Sequence, residues 1–322
     1  MKSILVSEYG GSDVLEVKDF PVPEPSVGQV RIKAAFTSVN FADIKMRRGG
    51  AAQLPFTPGL DASGVVDAVG DNVDEFEVGQ RVAAYVAAGS YAEYVLAEAE
   101  LCYPLPDAVS FEQGAGIGIL ITAYNVLMNA GRFRTGESVL VHAGAGGVGS
   151  TLVQLARALG AERIFATVGS DKKADIASRM GADEVINYRE SSFDEVINEK
   201  TDGKGVDLIL DSVAGPNAER GMNCLADFGR LVIYGHTGEG GAASISSKLL
   251  HKSNRAVIGY SSGDYRKSRP EVLQKVARKG LELLSSRNVN ILLGECFKLE
   301  DAAAAHEWVE SRRSVGKVLL EP

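Results

Sequence analysis

Residues 138–173 read SVLVHAGAGGVGSTLVQLARALGAERIFATVGSDKK. Val139–Val141 is a short apolar run with strand character, and Gly144, Gly146, Gly147 and Gly149 follow it at once. Beyond the glycines, apolar residues fall at Val148, Leu152, Leu155, Ala156 and Leu159, which is helical spacing. Gly160 stops that helix, and Arg163–Val168 reads as the next strand. G-x-G-x-x-G therefore stands where a strand gives way to a helix inside a βαβ unit, the context that makes the motif informative. Glycine allows the tight turn and lets backbone approach a pyrophosphate, which the helix amides and dipole then hold. The alternative is a glycine-rich connection that binds nothing.

The second strand bears on which dinucleotide is held. An NAD site wants an acid about 20 residues beyond the glycines, for the ribose 2′-hydroxyl. Here the strand ends at Val168-Gly169-Ser170 with no acid at its tip, and Asp171 opens the next helix beside Lys172 and Lys173. A missing acid and a nearby ammonium suit a 2′-phosphate, hence NADPH. The competing reading makes Ser170 an N-cap and leaves both lysines solvated.

Working outward, 322 residues suffice for two domains, and 45% hydrophobic with 24% charged residues is ordinary for a globular chain. A net charge of −8 argues against a general nucleic-acid or anionic-membrane binder. Cys102, Cys224 and Cys296 are too scattered for a disulfide framework or a C-x-x-C metal pair, which points to a reducing, cytoplasmic setting. The N-terminus has too short an apolar run for a signal peptide. Gln113–Ala130 carries no charge, but Gly114, Gly116, Gly118, Asn125 and Asn129 interrupt it. A buried helix is expected there rather than a membrane span.

Before residue 110 the pattern is short β-like runs (Leu15–Val17, Val30–Ala34, Ser63–Val69, Arg81–Ala83) separated by Pro, Gly, Asp and Asn. After 120, strands alternate with helices. A helix over Lys172–Met180, a strand at Glu184–Asn187, and a helix opened by a capping box at Ser192–Glu195 are expected. Strands at Val206–Leu210, Arg230–Tyr234 and Ala256–Tyr260 complete six. Six such strands predict a doubly wound parallel sheet with its ligand crevice at the strands' carboxyl ends. The tail from Pro270 predicts two amphipathic helices and short strands that return to the first domain.

Several motifs together resemble the medium-chain dehydrogenase/reductase superfamily, and within it the zinc-free, zeta-crystallin-like NADPH:quinone oxidoreductases. They are Ser38-Val-Asn40-Phe-Ala-Asp43, Pro58-Gly59-Leu-Asp61-Ala-Ser-Gly64, Gly79-Gln-Arg-Val82, the glycine turn, Thr167-Val-Gly-Ser170, Gly181-Ala-Asp183, Ile186-Asn-Tyr188-Arg189 and Asp211-Ser-Val213. The resemblance implies an α/β protein with a GroES-like β-rich catalytic domain (1–119, resumed at 261–322) around a six-stranded Rossmann domain (120–260). It also implies a cytoplasmic homodimer. Zinc-dependent members of the superfamily place Cys and His where this chain has Asn40 and Leu60, and four scattered histidines with three cysteines assemble no tetrahedral site. Lys45 stands where relatives carry a tyrosine.

Without a Lewis acid, a quinone or a conjugated enone is the easier hydride acceptor, because its charge spreads into a phenolate or enolate that needs only hydrogen-bond donors. The readings are an NADPH-dependent quinone reductase, an enone or 2-alkenal reductase on the same scaffold, or a cofactor-binding module without turnover. The resemblance puts Asn40 and Asp43 beside the nicotinamide, and Lys45 or Arg47 could donate to the developing oxyanion. The alternative for the two cations is a solvated basic loop. Asp61 serves either a structural hydrogen bond or turnover, and His142 is expected to be packed. The resemblance further puts Thr122 near the nicotinamide, and Gly144, Gly146, Gly147, Val148 and Gly149 at the pyrophosphate. Gly169, Ser170, Lys173 and Tyr188 fall at the 2′-phosphate, and Ser212, Tyr234, Gly235 and Thr237 along the adenine and ribose crevice.

Overall fold

The computed structural model describes residues 1–49, 52–238 and 240–322. The chain forms two compact units, one from Met1–Ile121 with Gly263–Pro322 and one from Thr122–Ser262. In chain order, the first carries β1 (Lys2–Val6), β2 (Leu15–Asp19), β3 (Gln29–Val39), β4 (Asp61–Val69), β5 (Arg81–Tyr85), β6 (Tyr94–Glu98) and β7 (Cys102–Pro104). The second carries β8 (Ser138–Val141), β9 (Arg163–Val168), β10 (Glu184–Asn187), β11 (Val206–Asp211), β12 (Leu225–Ile233) and β13 (Ala256–Gly259). The returning segment adds β14 (Leu293–Lys298) and β15 (Lys317–Glu321) to the first unit.

In the first unit the main sheet runs β14-β15-β3-β4-β5-β7, with β6 also paired to β3. Period-2 alternation in β3 sends Val30 and Ile32 inward, where they meet Val66, Val82 and Val95. The tail strand β15 is inserted between β14 and β3 and is antiparallel to β3, with Val318 opposite Val39. Residues 317–321 are thus internal to the sheet. A helix over Phe41–Arg47 follows β3 directly.

The second unit is a six-stranded, all-parallel sheet in the order β10-β9-β8-β11-β12-β13. Val139, Leu140, Val141, Ile209 and Leu210 in its two central strands are fully buried, as continuous apolar runs in a covered parallel sheet should be. Strand order reverses between β8 and β11, so the turns leaving these two strands flank the switch point where such sheets bind ligands.

Several local expectations differ from what forms. Gln113–Ala130 is broken into Phe111–Gly114, Ile117–Tyr124 and a π-helical turn over Asn125–Ala130. Its glycines answer to packing: a Cβ on Gly118 would lie 2.2 Å from the Asp61 carboxylate and 2.6 Å from the Tyr85 ring. Ser192 is the N-cap of Phe193–Lys200, yet its side chain makes no capping hydrogen bond. Strand β13 ends at Gly259, one residue short of Tyr260.

Candidate functional site

In the nucleotide unit, β8 delivers the chain to Ala143, held at φ 55°, and then to the helix Gly147–Ala158, whose N-cap is Gly146. A glycine N-cap has no side chain to spend on the first-turn amides, which leaves them for an anion. The turn is closed by sterics. A Cβ on Gly149 would sit 2.2 Å from the Ala143 carbonyl oxygen, and one on Gly144 would meet the Ala166 Cβ at 2.8 Å. Gly144 and Gly149 are buried, whereas Gly146, Gly147 and Val148 remain half exposed at the open end of the turn. The cradle therefore fits a dinucleotide pyrophosphate.

At the end of β9, Gly169 approaches the Tyr188 hydroxyl so closely that a Cβ would lie 2.6 Å from it. Tyr188 is 45% exposed and is not a core aromatic. Ser170 occupies the N-cap of Asp171–Arg179 without a capping hydrogen bond from its side chain. Lys173 is half-buried, and burial together with the Arg189 guanidinium lowers its ammonium's pKa from the usual lysine value. Two cations that repel each other suit a dianionic 2′-phosphate. Arg189 joins Lys173 here, whereas in the sequence it stands out only as part of the Ile186–Arg189 motif.

On the other side of the switch point, Asp211 ends β11 fully buried, and its Oδ1 accepts the amides of Val213 at 2.7 Å and Ala214 at 3.0 Å. The Ser212 carbonyl accepts both the amide of Thr237 (3.0 Å) and its hydroxyl (3.1 Å). Gly235 passes so close that a Cβ would come within 2.8 Å of that same carbonyl. Ser212, Gly235 and Thr237 are thus brought together, and Tyr234 precedes them with its phenol pKa raised by burial. Thr122 is half-buried on Ile117–Tyr124. His142 is packed edge-on to Phe193 with Nδ1 2.9 Å from the Thr167 hydroxyl, and burial lowers its pKa.

In the front unit, Asn40 is the N-cap of Phe41–Arg47, and the Asp43 carboxylate reaches back to accept the Asn40 amide at 2.7 Å. Asp61, fully buried, accepts from Asn40 Nδ2 (2.7 Å), Ser38 Oγ (3.0 Å) and the Gly118 amide (2.8 Å). Lys317, 3% exposed, lies 3.1 Å from Asp61 Oδ2 and donates to Asn40 Oδ1 at 2.5 Å. Behind Asp43, the Tyr91 hydroxyl lies within reach of Asp43 Oδ2 (3.4 Å) and His306 Nε2 (2.9 Å). Burial pushes the Asp43 carboxyl up to about 6 and the His306 imidazole down to about 3.

The two expected oxyanion donors fall elsewhere. Lys45 is two residues from Asp43 and so on another face of the helix; it is exposed, with its ammonium 5.7 Å from the Phe41 ring centroid. Arg47 is 1% exposed and bound to Glu310 at 2.6 Å, which excludes the solvated-loop alternative for it. Lys317, Tyr91 and His306 were not anticipated, because each meets the site through contacts distant in sequence. Among the described residues, no three His, Cys, Asp or Glu side chains converge as metal ligands. A cavity of about 750 Å³ in the same unit, lined by Phe76, Cys102, Pro104, Arg278 and Leu281 among others, holds none of the candidate residues.

Residues 26–107 match the alcohol dehydrogenase GroES-like domain and residues 147–278 the zinc-binding dehydrogenase domain. The chain is 36% identical to a quinone oxidoreductase of Pseudomonas aeruginosa, covering 100% of this chain and 99% of that one. It is 35% identical to the human quinone oxidoreductase, over 99% and 97%. Escherichia coli quinone oxidoreductase, solved in complex with NADPH, superposes with a TM-score of 0.92 at 32% identity and full coverage of both chains. The chain therefore belongs to the zinc-free quinone oxidoreductase family of the medium-chain dehydrogenases/reductases.

Proposed function

We propose that this protein is an NADPH-dependent, metal-independent reductase that transfers hydride to a quinone. The observation that carries this reading is the cradle of the nucleotide unit: a turn closed against any Cβ at Gly149, opening on a helix whose cap is Gly146. Full-length relatives named quinone oxidoreductases and a neighbour solved with NADPH support it.

When bound, NADPH supplies the hydride and leaves as NADP⁺. The chain's own task is to bind and orient. Amides at the head of Gly147–Ala158 take the pyrophosphate, Lys173, Arg189 and the Tyr188 hydroxyl take the 2′-phosphate, and Ser212, Gly235 and Thr237 shape the crevice wall. In the front unit, Asn40 is the donor to the quinone oxygen that becomes negative, with Asp43 fixing the helix start beneath it. A proton from solvent then completes the hydroquinone, so one hydride and one proton are taken up per quinone. Two further readings concern the setting. Strand β13 is an edge of the parallel sheet, and an edge strand can pair with the same strand of a second copy, which supports a homodimer. Three free thiols fit the reducing cytoplasm.

The test is NADPH oxidation against a panel of quinones and 2-alkenals, with and without chelator. Quinones should be reduced faster than alkenals, and chelation should leave the rate unchanged. NADPH oxidation with alkenals alone would move the assignment to double-bond reduction, and none with any acceptor would refute it.

A further inference from the structure

We propose that Lys317 is the positioning residue of the front unit: it sets the amide of Asn40 so that one Asn40 N–H is held ready for the substrate oxygen. This rests on the reading of Asn40 as the donor in quinone reduction.

The argument begins with counting donors. An ammonium has three N–H bonds and no acceptor. Lys317 Nζ has three acceptors around it: Asn40 Oδ1 at 2.5 Å, Asp61 Oδ2 at 3.1 Å and the Val39 carbonyl at 3.3 Å. With 3% exposure and every donor taken, Lys317 has nothing left for a ligand. Any part it plays in turnover passes through its neighbours. Asp61 is equally committed, since its two oxygens take Lys317, Asn40, Ser38 and the Gly118 amide.

Asn40 is where the cluster becomes directional. A carboxamide can be turned over, exchanging its oxygen and nitrogen, unless its partners forbid it. Here they do. Oδ1 faces a group that only donates, and Nδ2 faces a group that only accepts. Turning the amide would set its NH₂ against the ammonium and its oxygen against the carboxylate. One Nδ2 hydrogen goes to Asp61, and among the described residues no acceptor takes the other. Asn40 is half-buried, whereas Lys317 and Asp61 are buried, so that hydrogen is the outlet of the cluster.

The backbone supports the placement. Lys317 opens β15, whose next residue, Val318, pairs with Val39, the neighbour of Asn40. The turn before it needs Gly316, at φ 61°, where a Cβ would lie 2.2 Å from the Leu292 carbonyl oxygen.

The experiment is a double-substitution cycle with steady-state kinetics: wild type, Asn40→Ala, Lys317→Met and the pair together. Losing one oxyanion donor lowers kcat on the order of 100-fold. Asn40→Ala and Lys317→Met should each show such a loss with KM for NADPH unchanged, and the double variant should be no slower than Asn40→Ala. Because Lys317→Met strands the buried Asp61 carboxylate, Lys317→Met with Asp61→Asn serves as a neutral companion. It should fold, bind NADPH as wild type does, and show the same kcat loss. An equal further loss from Lys317→Met in the Asn40→Ala background would mark a merely structural lysine and overturn the assignment, as would full kcat in the neutral companion. Wild-type kcat in Asn40→Ala would instead overturn the reading of Asn40 on which it rests, leaving quinone reduction itself standing.

Discussion

Asp43 and His306 are buried next to one tyrosine hydroxyl, and their titrations pull stability in opposite directions. Asp43 titrates near 6 when folded, above its ordinary value, so between about pH 4 and 6 the folded chain binds the extra proton and this group's contribution falls as pH rises. His306 titrates near 3, below its ordinary value, so its contribution is absent in acid and grows from about pH 3 to 6.5. The shifts correspond to roughly 3 kcal/mol for Asp43 and roughly 5 for His306, so the histidine prevails. Asp43→Asn keeps an oxygen for the Asn40 amide but removes the opposing titration. Urea midpoints from pH 4 to 6 should therefore climb more steeply in the variant, by about 3 kcal/mol across the window; parallel slopes would disprove the assignment. A second residue-scale test concerns the cofactor's adenosine end. Lys173→Glu should weaken NADPH far more than NADH, about tenfold or beyond, and calorimetry showing equal losses would remove the 2′-phosphate from this position. Lys173 was open to proposal from sequence because it follows a recognisable strand end at short range. Lys317 was not, since nothing near residue 317 announces a partner 277 residues away.

Among the elements, the β8–turn–helix segment was the most readable, because its glycines answer to local geometry. Gly149 makes this testable. Adding a methyl there drives a carbon to 2.2 Å from the Ala143 oxygen, so the turn has to open. Gly149→Ala should cost about 1–3 kcal/mol of stability and lower NADPH affinity about tenfold or more. Thermal unfolding with and without nucleotide would check it, and an unchanged ligand-induced rise in Tm would count against the cradle. Other elements were misread where tertiary contacts outrank local pattern. The uncharged stretch after Gln113 looked like one helix, but it divides after Gly114, and in its second part Gly118 packs directly against Asp61 and Tyr85. Ser192 and Glu195 have capping-box spacing, yet the helix starts without the serine side chain.

At the scale of the molecule, the alternation of strands and helices after residue 120 made the parallel sheet and its six strands legible, although β12 begins at Leu225, well before the expected Arg230, and ends at Ile233. The reversal between β8 and β11 follows from the paired register rather than from any one segment. The nucleotide unit is a continuous stretch of chain with its own core around Leu140, Phe165, Ile209 and Leu231. Residues 122–262 produced alone should therefore fold cooperatively and bind NADPH without reducing quinones; a fragment that stays unfolded would show that its core does not suffice. The front unit is differently built, since β15 occupies an inner place in its sheet, between β14 and β3. During synthesis the nucleotide unit is translated in full before the strand bearing Lys317, so it can complete itself while that strand is still to come. Asn40, made well ahead of that strand, waits for it before its side-chain amide is held, so the nascent chain completes its nucleotide unit before its Asn40 cluster.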